Sequence, residues 1–310
     1  MDKTEKTPLI VICGPTASGK TSLAIKTAQD FGGEIINADS MQIYKYMDVG
    51  TAKPTAEERA AAVHHLIDFI DPREGFSVAD YVPLAHGCAE KIRRSGKIPI
   101  LSGGTGLYIS SVVNDVTFGD GGSDERIRSE LNVVLKEKGA EYLLDMLSRF
   151  DPESAAQLHP NNSRRIIRAI EFYKTTGKTI SEHRRETKLV KSRYAPLMLM
   201  PAFDRAALYE RINKRVDIMF SEGLESEVRR LLDMGCTPDM QSMQGIGYRE
   251  TIRFINGEIT LSECAELIKR NSRRYAKRQL TWFNRDERII KIAPDRDISQ
   301  IVSEFLKNFS

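Results

Sequence analysis

The sequence has little of what would mark a membrane, secreted or metal-clustering protein. No apolar run approaches the roughly 20 residues that a helical membrane span needs. The start, residues 1–7, is short and polar and carries no secretion-signal pattern. The four cysteines, Cys13, Cys88, Cys236 and Cys264, are scattered with no C-x-x-C pair. That excludes a zinc-ribbon spacing and a disulfide frame, and it leaves reduced, mostly buried thiols in a cytoplasmic protein as the expectation. The five histidines, His64, His65, His86, His159 and His183, have no metal-ligand spacing, so all are read as structural or solvent-facing. There is one tryptophan among 310 residues, and there are no internal repeats and no low-complexity segments. Neither sign of charge dominates: 46 Lys and Arg against 43 Asp and Glu leave a net +3, too mild by itself to imply a nucleic-acid partner.

What is present begins at Gly14-Pro15-Thr16-Ala17-Ser18-Gly19-Lys20-Thr21, which fits G-x-x-x-x-G-K-[ST]. Leu9-Ile10-Val11-Ile12-Cys13 before it is the short apolar run of a buried parallel strand, and residues 22–28 after it place apolar side chains at helical spacing. A strand, a glycine turn and a helix N-terminus converge backbone N–H groups on a phosphate. Lys20 adds a point charge, and the Thr21 hydroxyl is placed for Mg²⁺. The loop therefore binds a di- or triphosphate.

Along the chain, residues 34–38 read as a second strand ending at Asp39-Ser40-Met41-Gln42, and residues 44–54 as an ordered loop. A helix over 56–62, a strand over 65–70, a helix from Ser77 to about residue 95 and a strand over 97–102 follow. Strands alternating with helices predict a parallel sheet flanked by helices. The pattern changes near Gly119-Asp120-Gly121-Gly122. Helical stretches over 124–138, 140–149, 152–158 and 163–176, without a strand, predict an all-helical insertion. Residues 195–200 return to strand character; Asp204 caps a helix over 205–220, and a second helix covers 222–234. Residues 241–248 read as a loop, 261–284 as a basic helix, and 288–292 as an edge strand before a terminal helix. The expected division is a first core part over 1–119, a helical, RNA-contacting insertion over 120–194, and a core return with basic helices over 195–310.

In open parallel sheets the ligand crevice lies at the carboxyl ends of the strands, which puts Asp39 beside the phosphate loop. An ATPase of this type needs a second carboxylate at a strand end, yet the strand 97–102 runs into Gly103-Gly104-Thr105. A lone Asp39 suits a transferase, in which it takes a proton from an incoming nucleophile; a cap of the following turn is its bland role. Between Ala265 and Arg285 the bases Lys269, Arg270, Arg273, Arg274, Lys277, Arg278 and Arg285 face one acid, Glu266. Arg270, Arg274 and Arg278 share a helix face. Arg164, Arg165, Arg168, Arg184 and Arg185 form a second cluster. Two clusters beside a phosphate loop favour an RNA phosphate footprint over ordinary solvated helix faces. Tyr275, Trp282 and Phe283 read as core residues in preference to base-stacking platforms.

Taken together, Gly-Pro-Thr-Ala-Ser-Gly-Lys-Thr (14–21), Asp-Ser-Met-Gln (39–42), Met-Asp-Val-Gly-Thr-Ala-Lys-Pro (47–54) and Gly-Gly-Thr-Gly-Leu-Tyr (103–108) resemble the tRNA dimethylallyltransferase, or tRNA isopentenyltransferase, family. Residues 164–171, 209–217, 245–250 and 273–283 extend the likeness over nearly the whole chain. The resemblance implies a nucleotide-kinase-like P-loop fold in which residues 14–21 hold the diphosphate of dimethylallyl diphosphate. The acceptor would be N6 of adenosine 37 in tRNAs reading codons that begin with U. By position, Asp39 resembles the general base and Thr105 the residue that contacts the target adenosine and supports that base. Thr16, Lys20 and Thr21 resemble contacts to diphosphate and Mg²⁺, and Arg215 an arginine on the departing diphosphate. Asp39, Ser40, Met41, Gln42, Thr105, Arg128, Arg164, Arg165, Ile166, Ile167, Arg168 and Gln244 match positions near the tRNA. The zinc finger of larger members has no counterpart, so the chain resembles the short bacterial type, expected to act as a monomer. Two other functions use the same loop: a nucleoside or nucleotide kinase, and a prenyltransferase acting on free AMP. The basic clusters argue against both. An RNA-associated nucleotide-binding module without chemistry is a further alternative, and Asp39 and Thr105 at adjacent strand ends argue against it.

Overall fold

The computed structural model describes residues 6–118, 124–189, 191–293 and 296–309. The polar residues 1–5 and the change of pattern expected at Gly119–Gly122 lie outside the described residues. By internal contacts the chain forms two compact units, one of Met1–Val113 with Arg193–Ser310 and one of Asn114–Ser192.

The first unit is built on β1 (Thr7–Cys13), α1 (Lys20–Phe31), β2 (Gly33–Asn37), α2 (Ala56–Ala61), β3 (His64–His65), α3 (Val78–Arg94), β4 (Ile98–Gly103) and α4 (Gly106–Val113). The six-stranded sheet has the order β3-β2-β4-β1-β5-β6, and every neighbouring pair is parallel. β1 is central, so Leu9 to Cys13 are fully buried, which is why that strand reads as an unbroken apolar run. Ile10 pairs with Ile100 on one side and with Leu197 on the other. α1 starts at Gly19, stops at left-handed Gly32 (φ 64°), and packs Ala24, Ile25 and Ala28 on the sheet. Ser77 and Asp80 form a capping box that starts α3.

The second unit contains α5 (Glu125–Ser148), α6 (Pro152–Ala156), α7 (Ser163–Thr176) and α8 (Ile180–Leu189), with no strand among its described residues. Gly139, at φ 83° and ψ 172°, interrupts α5 where the sequence predicts a break between two helices. The core comprises Leu131, Leu143, Leu147, Ile166, Ile167 and Ile170. Buried Asp151 accepts from Ser154 N and Ser181 N, tying the starts of α6 and α8 together.

The chain then returns through β5 (Tyr194–Pro201), α9 (Arg205–Ser221), α10 (Leu224–Asp233), α11 (Tyr248–Ile255), α12 (Leu261–Phe283), edge strand β6 (Ile289–Ile292) and α13 (Ser299–Leu306). Asp204 accepts from Ala206 N and Ala207 N at the start of α9, as expected of a cap. The strand expected over 65–70 is corrected. Only His64 and His65 join the sheet, because Leu66 (φ 56°) and Asp68 (φ 59°) are left-handed. Beyond them the backbone of 68–70 bonds instead to Gln42 and Ile43. Helices α4, α8 and α11 are additional to the sequence expectation. α11 replaces the end of an expected loop because Gly247, at φ 99°, starts it, with Glu250 returning a bond to the Gly247 N–H.

Candidate active site

The loop after β1 carries three positive φ values: 142° at Gly14, 62° at Ala17 and 77° at Gly19. These reversals are the geometry of an anion-binding nest. Ala17 adopts it with a Cβ, at a cost of about 1–2 kcal/mol, a strain characteristic of ligand-binding backbone. Ser18 Oγ is buried among the loop atoms and has no hydrogen-bond partner among the described residues. Lys20 Nζ donates to Pro15 O at 2.7 Å, curling over the loop. Desolvation brings the Lys20 ammonium down to about 8; Asp39 opposes that shift and Arg215 adds to it. Desolvation also lowers the Arg215 guanidinium from its ordinary value, followed by repulsion from Arg211. Positive groups are thus held close together, and a diphosphate bound among them would relieve that repulsion.

A cavity of about 390 Å³ opens beside this loop. Among the residues singled out in sequence, Thr16, Lys20, Thr21, Asp39, Ser40, Met41, Gln42, Arg215 and Gln244 line it. Asp39 Oδ1 accepts from Met41 N at 2.9 Å and from Gln42 N at 3.4 Å, so it does cap the turn after β2. A carboxylate has a second oxygen, and Oδ2 makes no hydrogen bond among the described residues. The cap and the chemical role are therefore compatible. Thr105 sits one layer back: its Oγ1 accepts from Ser40 N at 2.9 Å and lies 3.2 Å from Ser40 Oγ. Gly103 makes this contact possible, because a Cβ there would fall 2.1 Å from Ala38 O. Gln42 donates to Thr51 O and Ala52 O, holding another wall of the same cavity.

Four residues that organise the site were not singled out. Gln279, buried on α12, accepts from Thr16 N and donates to Gly104 O, both at 2.9 Å. Arg211 donates to Ala17 O at 2.8 Å, bracing the loop from α9. Glu227, buried on α10, accepts from the N–H groups of Asp48, Val49 and Gly50 and from Tyr248 OH, at 2.7 to 3.0 Å. It fixes the loop whose Gly50, Thr51 and Ala52 face the cavity. Tyr275 was expected in the core and instead lines the cavity, beside Thr105. The available signal was an uncharged or oppositely charged residue at an inward position of a basic or mixed helix, as Gln279 is on α12.

The sequence matches the family described as IPP transferase over residues 42–286, and that described as isopentenyl transferase over residues 7–69. It is 48% identical to a tRNA dimethylallyltransferase of Acetivibrio thermocellus over 93% of this chain and 92% of that one. It is 50% identical to one of Carboxydothermus hydrogenoformans over 91% and 90%. This chain belongs to the tRNA dimethylallyltransferase family. Among solved structures, the full-length tRNA isopentenylpyrophosphate transferase of Bacillus halodurans is 44% identical with a TM-score of 0.71, covering 98% of this chain and 95% of that one. A eukaryotic dimethylallyltransferase acting on tRNA is 29% identical with a TM-score of 0.84, covering 97% and 80%. The P-loop, kinase-like parallel sheet expected from the sequence is the fold of this family.

In this family member the basic residues fall into two kinds. Arg270, Arg274 and Arg278 on α12 are exposed, and no carboxylate pairs with them among the described residues. Arg278 lines the cavity and lies over the Tyr275 ring at 5.5 Å. Lys269 is instead paired with Asp217 and Glu266. In the helical unit Arg164 and Arg165 are exposed. Arg128 and Arg168 both bond the fully buried Glu171, at 2.9 and 3.0 Å, and Glu171 also accepts from Asp124 N. Ile166 and Ile167, which match positions near the tRNA, turn their side chains inward. At 0% and 7% exposure they pack in the core of that unit, so little of either side chain is left for a partner. Among the described residues no helix is long and apolar enough to cross a membrane.

Proposed function

We propose that the chain transfers the dimethylallyl group of dimethylallyl diphosphate to N6 of adenosine 37 in the anticodon loop of tRNAs reading codons that begin with U, releasing diphosphate. The observation that carries this reading is the placement of Lys20, Thr21 and Arg215 on the wall of one cavity with Asp39, while β4 ends at Gly103 with no carboxylate. That arrangement has an anion end and a base, and lacks the second acidic group of an ATP-hydrolysing site. The relatives named above supply the substrate class.

In the reaction the allylic C1–O bond breaks and C1 bonds to N6. The loop N–H groups, Lys20 and Arg215 stabilise the charge that collects on the leaving diphosphate. Asp39 takes the N6 proton, and Thr105, through Ser40, holds the turn that Asp39 caps. An exocyclic adenine amine is a weak nucleophile, so the cavity walls contribute by fixing it against C1. The donor set fits Mg²⁺: the Thr21 hydroxyl and the Asp39 carboxylate line the same cavity, and Mg²⁺ is held by one or two protein oxygens plus phosphates. Thr21 Oγ1 would hold it, with the Asp39 carboxylate on the same cavity wall, and the ion would supply further neutralisation of the diphosphate. We read the chain as acting as a monomer in the cytoplasm.

One experiment separates the readings. Unmodified tRNA and AMP are each incubated with labelled dimethylallyl diphosphate, and in parallel nucleosides, AMP and tRNA are incubated with γ-labelled ATP. Label in tRNA from the prenyl donor is expected. Label transferred from ATP to a nucleoside, or prenyl transfer to AMP alone, overturns the proposal.

A further inference from the structure

Trp282, the only tryptophan of the chain, is not in the core as the sequence suggests: it is 39% exposed, on the last turn of α12. Its ring lies on the backbone of Gly106, where a Cβ would come within 2.4 Å of the indole Cδ1. The missing side chain lets the ring settle on the first residue of α4. An indole is amphipathic and is the kind of aromatic side chain enriched at contact surfaces.

Its surroundings specify the partner. Arg270, Arg274, Arg278 and Trp282 follow one another at four-residue steps, so each lies one turn, roughly 6 Å, beyond the last. All four are exposed. Arg278 lines the cavity. Gly106, beneath the indole, follows Thr105, whose hydroxyl is bonded to the Ser40 that also lines the cavity. A row of cations that tracks a phosphate backbone and ends in an aromatic face is the arrangement that binds single-stranded nucleic acid. A membrane or protein partner would need a broader apolar area than one indole at the end of an arginine row.

We propose that Trp282 is a stacking platform for an unpaired nucleobase of the substrate RNA, adjacent to the base that enters the cavity. This rests on the tRNA reading above. Drawing one base out of an anticodon loop removes a stacking surface from its neighbour. An indole offers that neighbour a replacement face that accepts any base.

The single tryptophan makes the test direct. An unmodified anticodon stem-loop RNA is titrated into the wild-type protein while indole emission is followed. Emission is expected to change and to saturate together with binding measured by an independent label on the RNA. Trp282→Leu keeps apolar cover on Gly106 but has no π face. It is expected to bind the stem-loop about 5- to 100-fold more weakly, with dimethylallyl diphosphate affinity intact. Trp282→Phe is expected to recover most of the loss. The salt slope should remain that of the wild type in both variants, because a stack neutralises no phosphate. Unchanged indole emission at saturating RNA, or a Leu variant that binds within about twofold of wild type, overturns the platform. Should the Leu variant misfold, the wild-type emission decides alone. Prenyl transfer by the wild type is scored separately. Transfer without an emission change removes the platform and leaves the function standing; absence of transfer to any RNA removes the function.

Discussion

The backbone N–H of Thr16 in the phosphate loop donates to Gln279 Oε1, 263 residues away in sequence, at 2.9 Å. The same side chain donates through Nε2 to Gly104 O. One amide on the arginine-bearing helix thus fastens the diphosphate loop to the end of β4. Replacing Gln279 by Leu leaves both backbone groups without that partner. Each unpaired group costs about 1–3 kcal/mol, so a lower melting temperature and weaker dimethylallyl diphosphate binding are expected together. Gln279→Glu keeps the acceptor for Thr16 and loses the donor to Gly104, so it should fall between. Diphosphate affinity equal to wild type in the Leu variant would show that this bond does not set the loop.

Lys20 gives the site a pH dependence. Desolvation lowers its ammonium from 10.5 to about 8, so in the free protein it is charged below that value and neutral above. Diphosphate prefers the charged form, and affinity should fall as pH rises through about 8. By the same linkage, bound diphosphate should raise the Lys20 pKa. Lys20→Ala should bind diphosphate more weakly at every pH, turn over slowly, and lose the inflection near 8. Calorimetric titration with dimethylallyl diphosphate over a pH series measures both effects. A variant that keeps the inflection assigns it to another group.

Asp39→Asn retains an Oδ1 acceptor for Met41 N and Gln42 N, so the turn should persist. Basicity is what it loses. Single-turnover prenyl transfer should drop by roughly 10²–10⁴, with tRNA and dimethylallyl diphosphate bound nearly as before. If the main role of Asp39 is instead to hold Mg²⁺ beside Thr21, excess Mg²⁺ should restore much of the rate. A near-normal rate at saturating Mg²⁺ therefore rejects the general-base role.

Arg165→Ala combined with Arg168→Ala should weaken tRNA binding, flatten its salt dependence and leave dimethylallyl diphosphate binding unaffected. The two positions are predicted to separate when changed singly. Arg165 is exposed, so its loss should act on RNA affinity alone. Arg168 bonds buried Glu171, so its loss should also destabilise the helical unit, by about 1–3 kcal/mol. Thermal melts of the single variants, read beside filter binding at several salt concentrations, test this. A double variant with wild-type affinity and salt slope removes this surface from the RNA footprint.

The sequence by itself determined the elements whose cause is local. The unbroken apolar run of β1, the reversals at Gly14 and Gly19, the Lys-Thr pair, the Ser77 capping box and the break at Gly139 each follow from residues a few positions apart. They sufficed to place Asp39 beside a phosphate loop, since the crevice of a parallel sheet lies at its strand ends. What the tertiary structure decided are the partners that meet across long stretches of chain. Gln279 reaches Thr16, Glu227 holds residues 48–50, and Thr105 holds Ser40. It also decided which members of a basic or apolar row are spent inside the protein. Arg168 pairs with a buried carboxylate and Ile167 fills a core, while neighbouring Arg165 is exposed. A one-dimensional pattern carries periodicity and turn chemistry, because those depend on adjacent φ, ψ and side chains. Which side chain satisfies which buried polar group depends on how the elements pack, and only the folded chain fixes that.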